Sequence, residues 1–195
     1  MFQKKKNGKT NPAIARAAKG ANNTIYTPPW LAHKMVEIAI EKSLWYDKIL
    51  DPCCGENRIF WKTIRKDFIG LKNSKIIELD IKNGQDFYDY PIEEKFDIIL
   101  MNPLFTRDGK RLNISNFLAT GFKHLEKFGV IVSILPACFI VNSEKRKFWL
   151  DLKLIDYKWL PKMTFGRPLH TALGIFKQNK PQSSWFIYED TNYKR

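Results

Sequence analysis

The apolar positions of this chain follow two spacings that alternate along its length. Short continuous apolar runs, such as Ile98–Met101, are typical of buried strands, whereas apolar residues three and four positions apart indicate amphipathic helices. Strands that alternate with helices predict a mostly parallel, Rossmann-like α/β sheet with helices on both faces, and the crowding of late strands predicts an antiparallel edge hairpin. The predicted strands are Lys48–Asp51, Lys75–Ile81, Phe96–Met101, Val130–Leu135, Ile155–Leu160, Thr171–Lys177 and Trp185–Tyr188.

The predicted helices are bounded by end signals as well as by apolar spacing. Thr27 is expected to be an N-cap ahead of two prolines, and a helix then runs to about Lys42. Gly129 is expected to close another helix. In a sheet of this kind, ligands bind at the carboxyl ends of the strands. The remaining predicted helices are Arg58–Lys66, Ile114–Phe128 and Ser143–Leu152.

Composition and charge add a location and a partner. The 195 residues are enough for one domain, no stretch approaches the ~20 apolar residues of a membrane span, and the start of the chain has no apolar signal core. Three cysteines make no disulfide framework, which predicts a cytoplasmic protein. The formal net charge of +13 favours nucleic acid as partner. Residues 1–23 carry no acidic residue, so we predict a basic N-terminal arm ahead of a catalytic domain at 24–195.

The strand predicted at 96–101 runs directly into Asn102-Pro103-Leu104-Phe105. A carboxamide oxygen and a proline carbonyl can accept two hydrogen bonds from a planar amine, and an aromatic ring offers a face for stacking. Asn-Pro is also an ordinary turn opener, so the tetrapeptide gains weight only from its surroundings. Basic residues follow it at Arg107, Lys110 and Arg111, and these are candidate phosphate contacts.

A second corner follows the strand predicted at 48–51, in Asp51-Pro52-Cys53-Cys54-Gly55. Small residues there let a ligand approach the backbone, and the helix behind the corner presents free N–H groups. Asn57 stands where a second glycine is expected, and asparagine tolerates the left-handed conformation. Two such corners in one α/β chain predict a cofactor site that faces a substrate site.

Acidic residues follow the next predicted strand. Asp80 is placed to hydrogen-bond a ribose diol, and Glu78 takes that role instead if the strand register is shifted. Asp86 and Phe87 could hold the amine and the ring of a purine.

In order and spacing, these segments resemble the class I, S-adenosylmethionine-dependent N6-adenine DNA methyltransferases, in particular the compact phage and plasmid members. The resemblance covers about residues 24 to 177. It implies the cofactor S-adenosylmethionine and methyl transfer to adenine N6 in DNA. The matching pieces are Tyr26-Thr27-Pro28, Asp51-Pro52-Cys53-Cys54-Gly55, Asp80-Ile81, Gly84-Gln85-Asp86-Phe87, Asp97–Phe105, Gly129–Pro136, Thr164-Phe165-Gly166 and Thr171-Ala172-Leu173.

The resemblance also implies a role for each matching residue. Asn102 and Pro103 would grip the target amine, and Phe105 would stack on the flipped base. This chain departs from the pattern at Leu104, where the family usually has a second proline, and at Asn57. The cofactor contacts implied are Tyr26, Thr27 and Pro28 for the methionine moiety, Asp51, Cys53, Gly55 and Asn57 for its amino-acid end, Asp80 for the ribose, and Asp86 with Phe87 for the adenine.

Several alternatives stay open. The target could be adenine N6 in RNA or cytosine N4 in DNA, a glutamine in a protein could be the acceptor, or the two departures could leave a nucleic-acid-binding pseudoenzyme. The chain has little room for a target-recognition domain, so a protein partner could supply recognition. Cytosine C5 methylation is excluded, because its cysteine nucleophile would stand where this chain has Asn102. No metal is expected, since the cysteines and histidines lack ligand spacing.

Overall fold

The computed structural model describes residues 25–103, 106–107, 110–111, 114–141, 154–166 and 168–178. For 106–107 and 110–111 it describes the backbone alone. The predicted arm at 1–23, the helix at 143–152 and the strand at 185–188 lie outside the described residues. Within the described ranges, no helix has the length and apolar character that a bilayer crossing requires.

Six strands form one mixed sheet in the order β2-β1-β3-β6-β8-β7. The first four are parallel, and β8 is antiparallel to both of its neighbours, so the predicted fold class is confirmed. Two further short strands, β4 and β5, pair separately. The elements are α1 (Pro29–Lys42), β1 (Lys48–Asp51), α2 (Ile59–Asp67), β2 (Lys75–Glu78), β3 (Phe96–Met101), β4 (Thr106–Arg107), β5 (Lys110–Arg111), α3 (Ile114–Lys123), β6 (Leu125–Pro136), α4 (Ala137–Val141), β7 (Leu154–Trp159) and β8 (Thr171–Lys177).

The two faces of the sheet bury separate apolar clusters. Successive strand residues point to opposite faces, so in β1 Ile49 joins one cluster and Leu50 joins the other. Helices α1 and α2 cover the Ile49 face, and α3 and α4 cover the Leu50 face. Because both faces are covered, the open edge at the carboxyl ends of the strands is left for polar residues.

Strand β2 is shorter than predicted. It ends at Glu78, which pairs in register with Asp51 at the end of β1. The chain turns there because the Asp80 carboxylate accepts a hydrogen bond from the Lys82 N–H and begins a 3₁₀ turn over Ile81–Asn83. A polar side chain that satisfies a nearby backbone N–H competes with the sheet in this way.

Strand β6 is longer than predicted, at the expense of helix α3. The helix ends at Lys123 and the strand begins at Leu125, so Gly129 lies inside a strand and does not close a helix. A Cβ at Gly129 would lie 2.8 Å from the Asp97 carbonyl oxygen and 3.0 Å from that of Phe96. The glycine is therefore required by the close approach of β3, a reason that sequence spacing does not distinguish from a helix stop.

Candidate cofactor and substrate site

The carboxyl ends of β1, β2 and β3 bring the two predicted corners to one edge of the sheet. Asp51 ends β1, Glu78 ends β2, and Asn102 directly follows β3. The two corners are also neighbours, because the Asn102 backbone lies close enough to the Cys53 thiol to offset part of the rise in its pKa. Since neighbouring strands lie about 4.8 Å apart, the three side chains belong to one site.

Asp51 is a buried carboxyl with one oxygen unused. Its Oδ1 accepts from the backbone N–H of Cys53 at 3.2 Å, whereas Oδ2 has no partner in the described part of the chain. Burial raises the pKa of Asp51 well above its ordinary value, and the charges of Glu78 and Asp80 raise it further. An orphaned acid of this kind fits a cationic ligand, whose charge would let it ionise.

Glu78 has the same half-satisfied character. Its Oε2 accepts from Arg58 Nε at 2.8 Å and also from Arg58 Nη2, whereas Oε1 is buried and has no partner among the residues described. The side chain is only 8% exposed. A free carboxylate oxygen at the end of the second strand fits a hydroxyl donor.

The other predicted acidic residues make local bonds. Asp80 Oδ1 accepts from Lys82 N–H at 2.9 Å, and Asp86 Oδ1 accepts from Tyr88 N–H at 3.0 Å, each at the start of a 3₁₀ turn. Phe87 lies in the core, 3% exposed, with its ring centroid 5.0 Å from that of Phe117. Its ring therefore packs inside the protein, while Asp86 is half-buried.

The loop after β1 has left-handed backbone at Gly55 and Arg58, with φ of 59° and 47°. Asn57, which the sequence indicated as a residue that tolerates this conformation, does not adopt it. Arg58 is the N-cap residue of α2, directly before its first turn. The conformation is set by where the helix begins, which is one residue later than the sequence indicates. At Gly55, an added Cβ would lie 3.4 Å from the ring of Tyr26, so this aromatic residue packs over the glycine.

Asn102 is held by the segment that precedes α1. Its Nδ2 donates to the Ile25 carbonyl oxygen at 2.8 Å and meets Thr27 Oγ1 at 3.1 Å. Thr27 is therefore not the helix N-cap, a position that Pro28 takes with no side-chain bond. A carbonyl can only accept, so the Ile25 contact fixes which end of the amide is nitrogen. The carboxamide oxygen Oδ1 is then turned away from this segment.

The two cysteines of the corner are thiols. Burial raises the pKa of Cys53 well above its ordinary value, and burial with the charge of Asp51 raises that of Cys54 to about 12. Both shifts disfavour the thiolate, which is the nucleophilic form of cysteine. These cysteines therefore line the corner and do not supply a nucleophile.

The remaining predicted site residues are Pro103 to Phe105 and the candidate phosphate contacts. Pro103 is buried directly after Asn102, and Leu104 and Phe105 lie outside the described residues. The candidate phosphate contacts Arg107, Lys110 and Arg111 fall on the antiparallel pair β4 and β5, whose side chains are not described. In the part of the chain that the structure describes, no group of three histidine, cysteine or acidic side chains is placed to hold a metal ion.

Sequence reasoning missed the far end of the same edge. Because β7 runs parallel to β6, Trp159 at its end lies at the edge that carries Asn102. Trp159 is 47% exposed, Lys158 and Lys162 are exposed close to it in sequence, and His170 is exposed directly before β8. From 157 to 178 the chain has no aspartate or glutamate, and this run of sequence was the signal available.

A comparison with protein-family models finds no match, and a comparison with curated protein sequences finds none either. Solved structures are similar in fold. One, a protein from Listeria monocytogenes assigned to the class I S-adenosylmethionine-dependent methyltransferases, gives a TM-score of 0.65 at 16% identity over 89% of this chain and 68% of that one.

Two type I restriction proteins are also similar in structure. The methyltransferase subunit from Streptococcus thermophilus gives a TM-score of 0.63 at 19% identity, covering 84% of this chain and 47% of that one. The EcoKI M protein gives 0.59 at 13%, covering 86% and 48%. The chain thus spans about half the length of these two proteins. It has the Rossmann-like fold of class I methyltransferases.

Proposed function

We propose that this protein is an S-adenosylmethionine-dependent methyltransferase that acts on the N6 amine of adenine in DNA. The observation that carries the proposal is the orientation of Asn102, whose nitrogen is bound by Ile25 and Thr27 so that its oxygen can serve a ligand. Its position also supports the proposal, because Asn102 follows β3 at the carboxyl ends of the parallel strands, where sheets of this kind bind ligands.

The cofactor end of the site fits S-adenosylmethionine through its two orphaned oxygens. Asp51 Oδ2 would take the ammonium group of the methionine moiety, and Glu78 Oε1 would take a ribose hydroxyl. Glu78 is favoured over Asp80 for the ribose, because it ends β2 and Asp80 already bonds to Lys82. Tyr26 over Gly55 would border the methionine moiety, and Asp86 would receive the adenine amine.

The catalytic problem is that the lone pair of an adenine amine is delocalised into the ring. Asn102 Oδ1 and the Pro103 carbonyl oxygen would each accept a hydrogen bond from one N–H of the amine and so turn the lone pair toward the methyl group. The cofactor supplies an electrophilic methyl on a sulfonium. Holding the two groups in line supplies much of the acceleration, since well-oriented groups reach effective molarities of ~10⁵ M or more. No side chain needs to remove a proton before transfer.

Nucleic acid is proposed as the partner on the basis of charge and of the exposed aromatic edge. The net charge is +13, and the acid-free run at 157–178 includes the end of β7, which lies at the same edge as Asn102. Duplex DNA hides the amine, so the base would leave the stack at a cost of about a few kcal/mol. An exposed tryptophan such as Trp159 offers a face on which an unstacked base can rest.

The proposal is tested by product identification. The protein is incubated with S-adenosylmethionine that carries a deuterated methyl group, together with duplex DNA, single-stranded DNA or RNA, and the nucleosides are analysed by mass spectrometry. Labelled N6-methyladenine from DNA is the expected product, and Asn102→Ala is the control that should yield none.

Other products would point to other functions. Label in RNA adenine or in N4-methylcytosine would keep the chemistry and change the substrate, and label in protein glutamine would remove nucleic acid as the acceptor. Cofactor binding without any labelled product would support a pseudoenzyme. No binding of the cofactor would overturn the proposal.

A further inference from the structure

Arg58 combines two features that seldom occur together. Among the residues described, it is the one non-glycine residue with a positive φ, at 47°. Residues with a Cβ rarely adopt this backbone conformation. Its guanidinium reaches from the start of α2 to the end of β2, where both Nε and Nη2 donate to one oxygen of Glu78. The guanidinium carbon also lies 4.8 Å from the ring centroid of Trp61, which supports the side chain from behind.

The effect on Glu78 is asymmetric. Both donors of Arg58 meet Oε2, and Oε1 is left buried without a partner in the described part of the chain. A carboxylate held by one oxygen cannot turn freely, so Oε1 has a fixed direction. A buried, directed and unsatisfied acceptor is costly in the empty protein and useful when a donor arrives.

We propose that Arg58 is a positioning residue for the cofactor: it holds the Glu78 carboxyl group turned so that Oε1 receives a ribose hydroxyl. This rests on the proposed function, because it assumes that Glu78 faces the ribose. Nothing else described at this corner takes the same part. The nearby Lys82 ammonium pairs instead with Glu56, at 3.0 Å and on the outside of the loop.

The positive charge of Arg58 lies next to a group of acidic side chains. Asp51, Glu78 and Asp80 stand close enough that the latter two raise the pKa of Asp51. The Arg58 guanidinium adds a positive charge in direct contact with this acidic group. The contact is mutual, since the hydrogen bond and charge of Glu78 raise the pKa of Arg58.

The opposite role is also physically reasonable and predicts the opposite result. If the guanidinium occupied the space of the ribose and had to leave, its removal would strengthen cofactor binding. The sign of the change in affinity therefore separates a positioning residue from a gate.

The test uses calorimetry with S-adenosylhomocysteine and with its 2′,3′-dideoxy analogue, which lacks the ribose hydroxyls. The variants are Arg58→Gln and Arg58→Gly, and glycine suits the left-handed backbone, so a folded protein is expected even if glutamine strains it. Lys82→Gln is the matched control, because it removes one positive charge from the same pair of loops without touching Glu78. Thermal melts check folding.

We expect both Arg58 variants to bind S-adenosylhomocysteine about tenfold more weakly and the dideoxy analogue within twofold of wild type, since coupling between contacting groups is typically of that order. Lys82→Gln should change both ligands equally and little. An equal loss for both ligands, or a gain in affinity, would overturn the positioning role and leave the proposed function standing. If wild type binds neither ligand, the proposed function fails, and the role of Arg58 fails with it.

Discussion

The two ends of the ligand-binding edge differ in charge and in exposure. At the end formed by β1 and β2, Asp51 is 1% exposed and Asp80 is 8% exposed, and the acidic groups lie inside a tightly bonded corner. At the other end, near the end of β7, Trp159 is 47% exposed, and the basic residues Lys158 and Lys162 are also exposed. Asn102 stands between them at the end of β3.

This difference fits two ligands of opposite charge. A small cationic ligand gains most from a closed, acidic corner, because electrostatic interactions strengthen when water is excluded. A polyanion is bound over a larger area by exposed cations and stacking faces, and it pays little desolvation. On the proposed function, the acidic end formed by β1 and β2 would take the cofactor, and the basic end at β7 would take the nucleic acid.

The largest effect is expected between the two ends, at Asn102. Asn102→Ala removes the acceptor that faces the target amine, and losing one polar contact to a developing charge typically costs about 10²–10³ in rate. We expect methyl transfer, measured by mass spectrometry, to fall by this factor. The affinity for S-adenosylhomocysteine should stay within about twofold.

Thr27→Val is the graded comparison for this prediction. It removes one of the two partners of Asn102 Nδ2 and leaves the Ile25 carbonyl, so the amide keeps its orientation. Its loss of rate should be clearly smaller than that of Asn102→Ala. Full transfer by Asn102→Ala would mean that the Asn-Pro corner is only a structural turn.

The next effect concerns the acidic end and has two readouts of opposite sign. Asp51→Asn keeps the acceptor for Cys53 N–H and removes the charge. Hydrogen bonds to charged groups contribute about 1.5–3 kcal/mol, so the affinity for S-adenosylmethionine should fall roughly tenfold to a hundredfold. Calorimetry measures this, and binding of nucleic acid should be unchanged.

The second readout is the stability of the ligand-free protein against pH. The folded-state pKa of Asp51 is raised above 3.8, so the folded state keeps a proton that the unfolded state has lost. The free energy of unfolding should therefore fall as pH rises from about 4 toward the raised value, by up to about 1.4 kcal/mol per pH unit. Asp51→Asn should flatten this fall in urea titrations. An unchanged slope would show that Asp51 is not the group responsible.

Individual strands and residues show which features of the fold could be predicted from the sequence and which could not. The strands Lys48–Asp51, Phe96–Met101 and Thr171–Lys177 were predicted with their observed bounds, because continuous apolar runs and their flanking turns are local signals. Features that depend on contacts between distant parts of the chain were not predicted. That Gly129 serves the approach of β3, or that Thr27 bonds to Asn102, depends on residues far away in sequence.

The acidic end shows the same limit at finer scale. Glu78 and Asp80 differ by two positions and have the same charge, so composition could not separate them. The structure distinguishes the two residues by their contacts. Asp80 accepts a hydrogen bond from the Lys82 N–H, beyond the end of β2, whereas Glu78 ends that strand in register with Asp51. The left-handed residue was likewise displaced from Asn57 to Arg58 by where α2 begins.

A smaller effect is expected from the aromatic group of the basic end. Trp159→Ala removes an exposed ring at the edge that carries Asn102, and base–aromatic stacking is worth about 1–3 kcal/mol per base. We expect the binding free energy for single-stranded DNA, measured by fluorescence anisotropy, to weaken by about 1 kcal/mol, the lower limit of that range. Trp45→Ala is the matched control, since Trp45 is 63% exposed but precedes β1, at the opposite edge. Equal losses in both variants would remove the stacking role.

The smallest effect is expected from the lysines of the basic end. Lys158→Gln with Lys162→Gln removes two exposed charges there, and each phosphate contact contributes about 0.9 to the slope of log affinity against log salt on duplex DNA. The double variant should flatten that slope by up to about 1.8 and leave cofactor affinity unchanged, because the acidic end is untouched. Lys72→Gln with Lys75→Gln makes the same change of charge at the amino end of β2, away from the ligand edge. If the control flattens the slope equally, the attraction comes from net charge alone, and the basic end has no special part in binding DNA.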